Sequence, residues 1–396
     1  MSKKRCISRF RQYSQNVGLM IAALVVALVA SETILRLVYG DKFGRRPTFS
    51  IPDDKLGWKT SPNLHHTFYG PDFRMDIRTD IDGYRLGVIG EVDYSKKIVV
   101  VLGDSNAFGW GVSTASTFPS HLDEQLYEKS GGSLRVVNLG VPGYGTFQSV
   151  LRFKYFLEKH PEARVAAVVF IHSQNDPADN LNALGYQLGI WRVKNSQTKE
   201  RSRYHIVNFI AYAHRILRRN QLPESRAPDD IDTIDPFSED MFFTHQIDSP
   251  KAVPSKISFG GTIVNLEGLT REDSFAETLL ERKYLTAPQR DIFRAAIQSL
   301  YAISETRVEQ LFHIISPHSP AWIENEFLQV LGTTPADAGI HVHVLGRYPP
   351  IQGFDKEILN RHSGRHFTPD FNEFWADAVT DVLVRQHITT RARESQ

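Results

Sequence analysis

The sequence predicts an α/β domain with a five-stranded parallel sheet, preceded by one N-terminal transmembrane helix. Short apolar runs alternate with helical stretches over most of the chain, which is typical of a parallel sheet covered on both faces. A long apolar stretch lies close to the N-terminus. The 396 residues are 41% hydrophobic and 23% charged, which excludes wholesale disorder and fibrous classes.

The N-terminal apolar stretch predicts a signal anchor over residues 17–39. Residues 17–30 carry no charge, and apolar character continues to Val38, interrupted only by Glu32 and Arg36. A bilayer core needs about 20 such residues. Five basic side chains precede the stretch (Lys3, Lys4, Arg5, Arg9 and Arg11). They predict a cytoplasmic tail over residues 1–16, with the rest of the chain on the periplasmic side of the inner membrane. The alternative is a signal peptide cleaved near Ala30.

Charge and cysteine content narrow the functional classes. The net charge is +1, and the basic tail leaves residues 17–396 with a sum of −4. This balance excludes a dominant basic face for nucleic acid. The single cysteine, Cys6, lies in the tail. The exported part therefore has no internal disulfide and no thiol nucleophile.

The exported part begins with a lead-in subregion over residues 41–95. Its segments GWKTSPN (57–63) and TDIDGYRLGV (79–88) are typical of short strands and turns. The main domain is predicted over residues 96–390. An insertion at about 180–270 interrupts its rhythm, and we interpret it as a segment that folds over the top of the sheet.

Apolar runs and helical stretches alternate along the main domain. Strands are predicted at 97–103, 134–140, 164–173, 308–317 and 340–346. Helices are predicted near 117–130, 146–159, 272–305, 320–331 and 370–386. Ligands bind at the carboxyl ends of the strands in such sheets. The residues that follow the strands are therefore the candidates for chemistry.

Four residues stand out by this criterion. Ser105 follows the first strand, Gly143 lies in a glycine-rich loop after the second, and Asn175 follows the third. His366 precedes the last helix, from which a histidine can reach back and deprotonate a serine. Each also has an ordinary interpretation: a helix N-cap serine, a tight loop, a turn-forming Asn-Asp pair and a structural histidine.

Together the four blocks resemble the SGNH (GDSL-type) hydrolase superfamily, in this chain order. They read GDSNAFGWG (103–111), NLGVPGYG (138–145), SQND (173–176) and SGRHFTPDFNEFWADAV (363–379). The resemblance implies a flavodoxin-like three-layer sandwich and a nucleophilic Ser105 with His366 as its base. It also implies oxyanion donors from the Ser105 and Gly143 N–H groups and from the Asn175 side chain. LGW (56–58) and DGYR (82–85) also look like the lead-in of membrane-anchored members.

The chain departs from the family pattern in two places. Ser173 stands where the third block usually has Gly. Ser363 stands three residues before His366, where the family usually has the Asp that orients the imidazole. Asp355 and Asp370 are nearby in sequence without the usual spacing. A backbone carbonyl or the Ser363 hydroxyl is the other candidate for orienting His366.

We therefore predict a serine esterase that acts on an acylated envelope polysaccharide or lipid through an acyl-serine intermediate. The same site would serve an O-acyltransferase of a cell-surface polysaccharide. A non-catalytic scaffold module is the alternative that the Ser363 departure motivates. No cofactor is expected, and the sequence does not indicate an oligomeric state.

Two further groups of residues have competing interpretations. His341 and His343 share one face of a predicted central strand; they would suit a metal site but are better explained as structural residues. Four aromatic residues would suit stacking on sugars and would equally suit the core (Tyr186, Trp191, Tyr204 and Trp322).

Overall fold

The computed structural model describes residues 2–43, 47–69, 73–187, 192–193, 202–219, 245–246, 255–259, 262–267, 276–317, 319–332, 340–344, 354, 366–386 and 388. The chain divides into two compact units. One comprises Met1–Pro47 with Gln197–Pro236, and the other comprises Thr48–Ser196 with Phe237–Gln396.

The helices and strands are numbered in chain order. The helices are α1 (Ser2–Phe43), α2 (Ser105–Phe108), α3 (Phe118–Ser130), α4 (Thr146–Lys159), α5 (Asp176–Gln187), α6 (His205–Arg219), α7 (Ala276–Arg282), α8 (Ala287–Arg307), α9 (Ala321–Leu331) and α10 (Pro369–Arg385). The strands are β1 (Ser50–Asp53), β2 (Gly57–Thr60), β3 (His65–Tyr69), β4 (Arg74–Arg78), β5 (Lys97–Leu102), β6 (Leu134–Asn138), β7 (Arg164–His172), β8 (Arg192–Val193), β9 (His245–Gln246), β10 (Lys256–Phe259), β11 (Thr262–Asn265), β12 (Val308–Ile315) and β13 (Ile340–Val344).

The first unit contains α1 and α6. Over Gln12–Gly40, α1 is long and apolar enough to cross a membrane, and a signal sequence would have the same length and composition. The helical geometry breaks at Tyr39, where φ is −130° and ψ is 27°. The first unit therefore carries the predicted N-terminal apolar helix, extended to Phe43.

The second unit is built on a five-stranded sheet in the order β13-β12-β7-β5-β6. All four neighbouring pairs are parallel. The predicted α/β class and all five predicted strands are confirmed. One detail was wrong: β13, which carries His341 and His343, is an edge strand rather than a central one.

Helices cover both faces of this sheet, as its apolar strands require. In β5, five of the six residues are buried, and every residue of β6 is buried. One face packs against α4 and α8 through a core that includes Val100, Phe153 and Ala296. The other packs against α3 and α10 through a core that includes Val101 and Trp375. This is the predicted three-layer arrangement.

The lead-in segment forms two antiparallel hairpins, β1–β2 and β3–β4, as its turn-rich sequence predicts. The first hairpin places Trp58 against Val141 and Tyr144, which follow β6. The second contributes Phe68 to a cluster with Phe108, which follows β5. The hairpins therefore support the loops at the carboxyl ends of the sheet.

Two predicted segments differ in detail. The single helix expected near 272–305 is two helices, α7 and α8, because a new N-terminus forms at Thr286 with a capping box to Gln289. The predicted insertion supplies α6, which belongs to the first unit together with α1. That the insertion covers the top of the sheet stays a prediction.

Candidate active site

Ser105 begins a helix shortly after β5, the strand that lies between β7 and β6 in the sheet. Gly103 makes this sharp turn with φ of 142°, and a Cβ there would lie 2.8 Å from the carbonyl oxygen of Ile171. Asp104 is the N-cap of α2, because its side chain accepts a hydrogen bond from the Asn106 N–H at 2.9 Å. The cap position is thus taken by Asp104, and the Ser105 hydroxyl is left for another partner.

That partner is His366, whose Nε2 lies 2.7 Å from Ser105 Oγ. The histidine immediately precedes Phe367, which is buried in the core beside α10. Thr368 caps α10 by accepting a hydrogen bond from the Phe371 N–H. The capped helix and the buried phenylalanine therefore fix the position from which His366 reaches Ser105.

The sequence left open which group orients the imidazole. Ser363 and Asp355 lie outside the described residues, and Asp370 is exposed in the first turn of α10. Asp104 is a carboxylate beside the pair, with its Oδ2 3.5 Å from Ser105 Oγ. Burial raises the pKa of Asp104, while the Asn106 N–H and the charge of His366 lower it. Asp104 and protonated His366 therefore stabilise each other electrostatically.

The SQND segment (173–176) is connected to the GDSNAFGWG segment (103–111) by a hydrogen bond. Ser173 is completely buried, and its Oγ accepts a hydrogen bond from Asn106 Nδ2 at 2.9 Å. The side chains of Ser173 and Asn175 also lower the pKa of Asp104. Asn175 Nδ2 lies 2.5 Å from Asp179 Oδ2. Ser173 thus links the segment that follows β7 to the segment that follows β5.

The NLGVPGYG segment (138–145) lies beside the GDSNAFGWG segment (103–111). The Val141 N–H donates to the Gly103 carbonyl at 3.2 Å, and the Trp58 indole donates to the Pro142 carbonyl at 3.2 Å. Gly143 has φ of 78°, and a Cβ there would lie 3.2 Å from the Trp58 ring. A glycine is therefore required where this loop passes the indole.

Arg85 is a buried residue of this region that the sequence reasoning did not assign. It is 3% exposed, and its guanidinium donates to four carbonyl oxygens: those of Asp76 (3.1 Å), Phe108 (3.1 Å), Gly109 (2.7 Å) and Val112 (2.8 Å). Burial lowers its pKa to about 9, so it remains a cation at neutral pH. It fixes the end of α2 and the turn that follows. The DGYR motif was the signal available in the sequence.

Behind β7 lies a buried polar chain that the sequence did not reveal. His172 Nε2 lies 2.9 Å from His313 Nδ1. Burial lowers the pKa of both, that of His313 to about 3. His172 Nδ1 is 3.6 Å from Asp176 Oδ2, which is not an ion pair because the imidazole is neutral. Burial and the nearby Asp104 charge raise the pKa of Asp176 well above its usual range.

The competing interpretations can be compared with the structure. The described residues contain no group of three or more His, Cys, Asp or Glu that could hold a metal ion. His341 instead stacks on Phe312, with ring centroids 4.6 Å apart. Trp322 is half-buried against the apolar core, as the core interpretation predicts. Tyr204 is exposed and lies in the first unit, while Trp191 and the Tyr186 side chain lie outside the described part of the chain.

A cavity of about 550 Å³ lies between the β1–β2 hairpin and the second half of α4. Its lining includes Lys55, Arg152 and Tyr155, and does not include Ser105 or His366. Both acidic and basic side chains line it. It is therefore separate from the Ser105–His366 pair.

Comparisons with known proteins give distant structural matches. No protein-family model matches the chain, and no curated protein matches it. Among solved structures, it is similar to the psychrotrophic esterase EstA from Pseudoalteromonas sp., at 9% identity and a TM-score of 0.34, over 73% of this chain and 97% of that one. It is also similar to an alpha/beta hydrolase from the metagenome of Lake Arreo, Spain, at 12% identity and a TM-score of 0.33, over 76% of this chain and 97% of that one. Scores this low do not establish function, which must be argued from the site.

Proposed function

We propose that the chain is a serine-dependent carboxylic ester hydrolase of the SGNH type. One observation carries the proposal: the 2.7 Å contact between His366 Nε2 and Ser105 Oγ. A nucleophile and a base within hydrogen-bond reach, at the carboxyl ends of a parallel sheet, have the arrangement that acyl transfer needs.

The reaction proceeds in two halves. His366 Nε2 takes the hydroxyl proton as Ser105 Oγ bonds to the ester carbonyl carbon. The tetrahedral intermediate then breaks its bond to the alcohol oxygen, which leaves with the proton from His366. Water attacks the acyl-serine in the same way, the acid is released, and the Ser105 hydroxyl is restored.

Donors near Ser105 would stabilise the negative oxygen of each intermediate. The Ser105 and Gly143 N–H groups and the Asn175 amide are the candidates. The Asn175 amide contacts the Asp179 carboxylate. A substrate oxygen would replace this carboxylate as its acceptor.

Asp104 compensates for the missing carboxylate at position 363. As His366 takes the proton, its imidazolium faces the buried Asp104 anion, which is also 3.5 Å from the nucleophile. Charges interact strongly in such a water-poor site. Asp104 therefore supplies the electrostatic part of the usual acid's role, and the orientation of the ring comes from elsewhere.

The N-terminal helix gives the proposed substrate and location. From the basic tail that precedes the apolar helix, we infer that the helix is a single-pass anchor and that the following domain lies on the periplasmic side of the inner membrane. Acylated polysaccharides and lipid esters of the envelope are the esters within its reach. These are the substrates we propose.

The test uses the full-length chain in detergent micelles and a short-chain nitrophenyl ester. Wild type should hydrolyse the ester, and a phosphonofluoridate should label Ser105. Ser105→Ala should lose both properties, and Ser95→Ala, which changes an exposed serine, should keep them. Equal hydrolysis by wild type and Ser105→Ala would refute the proposal. Adding a sugar acceptor and measuring its acylation separates hydrolysis from transfer.

A further inference from the structure

Helix α6 is attached to α1 through Glu32. The two carboxylate oxygens of Glu32 accept hydrogen bonds from the backbone N–H groups of His205 (3.1 Å) and Ile206 (2.9 Å). Glu32 therefore caps the N-terminus of a helix 173 residues away in sequence. Arg36, one turn further along α1, bonds to Glu32 at 2.7 Å. Glu32, which interrupts the apolar stretch, therefore attaches α6 to α1.

A second set of contacts holds α6 near the end of α1. Asn208 Nδ2 donates to the Phe43 carbonyl at 2.7 Å. The Phe43 ring packs edge-on against Phe209 and Tyr212, with centroids 5.4 and 5.7 Å away. With Glu32 at one point and Phe43 at the other, α6 lies along the last three turns of α1.

The position of Glu32 places this junction at the edge of the membrane. Residues 12–31 carry no charge and are bounded by Arg11 and Glu32, so this run begins five residues before the anchor predicted over 17–39 and ends within it. At about 1.5 Å per residue, its length is about 30 Å, the thickness of a hydrocarbon core. The N-terminus of α6 therefore lies at the depth where α1 leaves the core.

The surface of α6 suits such a place. Ile206, Phe209, Ile210 and Ala213 follow the spacing of one helix face, and Asn208 lies away from it. Ile210 is 60% exposed, and Leu37 of α1 is 82% exposed. The sequence places three arginines in the last five residues of the helix (Arg215, Arg218 and Arg219). An apolar face combined with basic residues is typical of helices that lie in a bilayer surface.

We propose that α6 is a membrane-interface helix, whose apolar face contacts the phospholipid bilayer beside the point where α1 emerges. Lipid would then cover the exposed apolar side chains of α6 and of the end of α1 together. The bilayer is the occupant that fits because this apolar surface continues that of the helix long enough to span it. The inference is independent of the chemistry at Ser105 and requires that α1 stays in the mature protein.

The test compares two neighbouring positions in the full chain. With Cys6→Ser as background, nitroxide labels are attached to Ile210→Cys and, as the matched control, to Ala211→Cys. Both residues are exposed, and their side chains point about 100° apart around the helix. The proteins are reconstituted into phosphatidylcholine–phosphatidylglycerol vesicles. Power saturation then compares accessibility to oxygen, which concentrates in lipid, with accessibility to a water-soluble nickel complex.

We expect the label at 210 to be several-fold more accessible to oxygen, relative to nickel, than the label at 211. Equal ratios at the two positions would overturn the proposal, because water would then surround both. A label at 210 shielded from both reagents would also overturn it, since protein rather than lipid would cover the face. The intact mass of membrane-extracted chain should include residues 1–30, and their loss would contradict the inference.

Discussion

Replacing Arg85 by Met should weaken both the fold and the proposed activity. Two of its four acceptors keep another donor, since Phe108 O accepts from Asn138 Nδ2 and Asp76 O accepts from Thr114 Oγ1. The carbonyls of Gly109 and Val112 lose the guanidinium. At about 1–3 kcal/mol for each such acceptor, the loss is about 2–6 kcal/mol.

The lower end of this range is the expected one. Arg85→Met no longer buries a cation, which offsets part of the cost. A loss of about 2 kcal/mol corresponds to a fall in Tm of about 4 °C in a domain of this size. Thermal unfolding of the full chain in detergent, followed by tryptophan fluorescence, measures the change.

The effect on hydrolysis should be larger than the effect on stability. Arg85 holds the end of the four-residue helix that begins with Ser105. A shift of about 1 Å in the nucleophile costs about 100-fold in rate. We expect kcat/KM for the nitrophenyl ester to fall about 10- to 100-fold at a temperature where the variant stays folded.

Two further variants make the prediction refutable. Arg74→Met removes an exposed arginine from strand β4 and should change neither Tm nor kcat/KM. Arg85→Lys keeps the charge without the branched guanidinium and should lie between wild type and Arg85→Met. The reasoning fails if Arg85→Met unfolds at the wild-type temperature and retains wild-type kcat/KM.

Three other changes test separate parts of the structure. Asp123→Ala should lower the free energy of unfolding by about 3–5 kcal/mol, because it leaves the buried Arg135 guanidinium without its carboxylate, now 2.9 Å away. His172 and His313 stay neutral in the fold, with the pKa of His313 lowered to about 3. In the unfolded chain both histidines become protonated below about pH 6.5. The free energy of unfolding should therefore fall by about 1.4 kcal/mol for each histidine and each unit by which the pH is lowered below that value. His313→Gln should make this fall less steep, as measured by Tm at a series of pH values. Ser173→Gly removes the hydrogen bond from Asn106 and the effect of the Ser173 side chain on the pKa of Asp104, and should lower kcat for the ester about tenfold.

Each of these expectations has a contrary result. A wild-type Tm for Asp123→Ala would mean that Arg135 finds equal compensation from its contacts with the carbonyls of Gly90 and Glu91. Identical pH slopes for wild type and His313→Gln would refute the titration argument. The raised pKa of Asp176 makes stability fall as the pH rises above about 4, which opposes the effect of the histidines. The test is therefore the difference in pH dependence between wild type and His313→Gln. Undiminished kcat in Ser173→Gly would show that the link between the blocks does not support catalysis.

The sequence could predict the sheet because its strands are buried on both faces. Runs such as KIVVVL (97–102) are apolar at nearly every position, and the helices between them keep a helical period. The edge position of β13 could not be predicted. Its pattern IHVHV is compatible with a central or an edge strand, and only the order of pairing distinguishes them.

The residues of the candidate site could be predicted in part. Ser105 and His366 follow from their places at the end of a strand and before the last helix, which the topology brings together. The network around them could not, since Ser173, Asn106 and Asp104 meet only through side-chain packing. The docking of α6 on Glu32 is harder still, because no local pattern connects residues 173 positions apart.

Two buried acids near Ser105 bear on how a protonated His366 would be stabilised under the proposed mechanism. Asp104 and Asp176 are both buried, and each raises the cost of ionising the other. The pKa of Asp176 is raised well above its usual range, by burial and by the charges of Asp104 and Asp179. Burial also raises the pKa of Asp104, but the Asn106 N–H, His366, Ser173 and Asn175 all favour its charged form. We therefore expect Asp104, whose Oδ2 lies 3.5 Å from Ser105 Oγ, to be the acid that opposes the positive charge gained by His366.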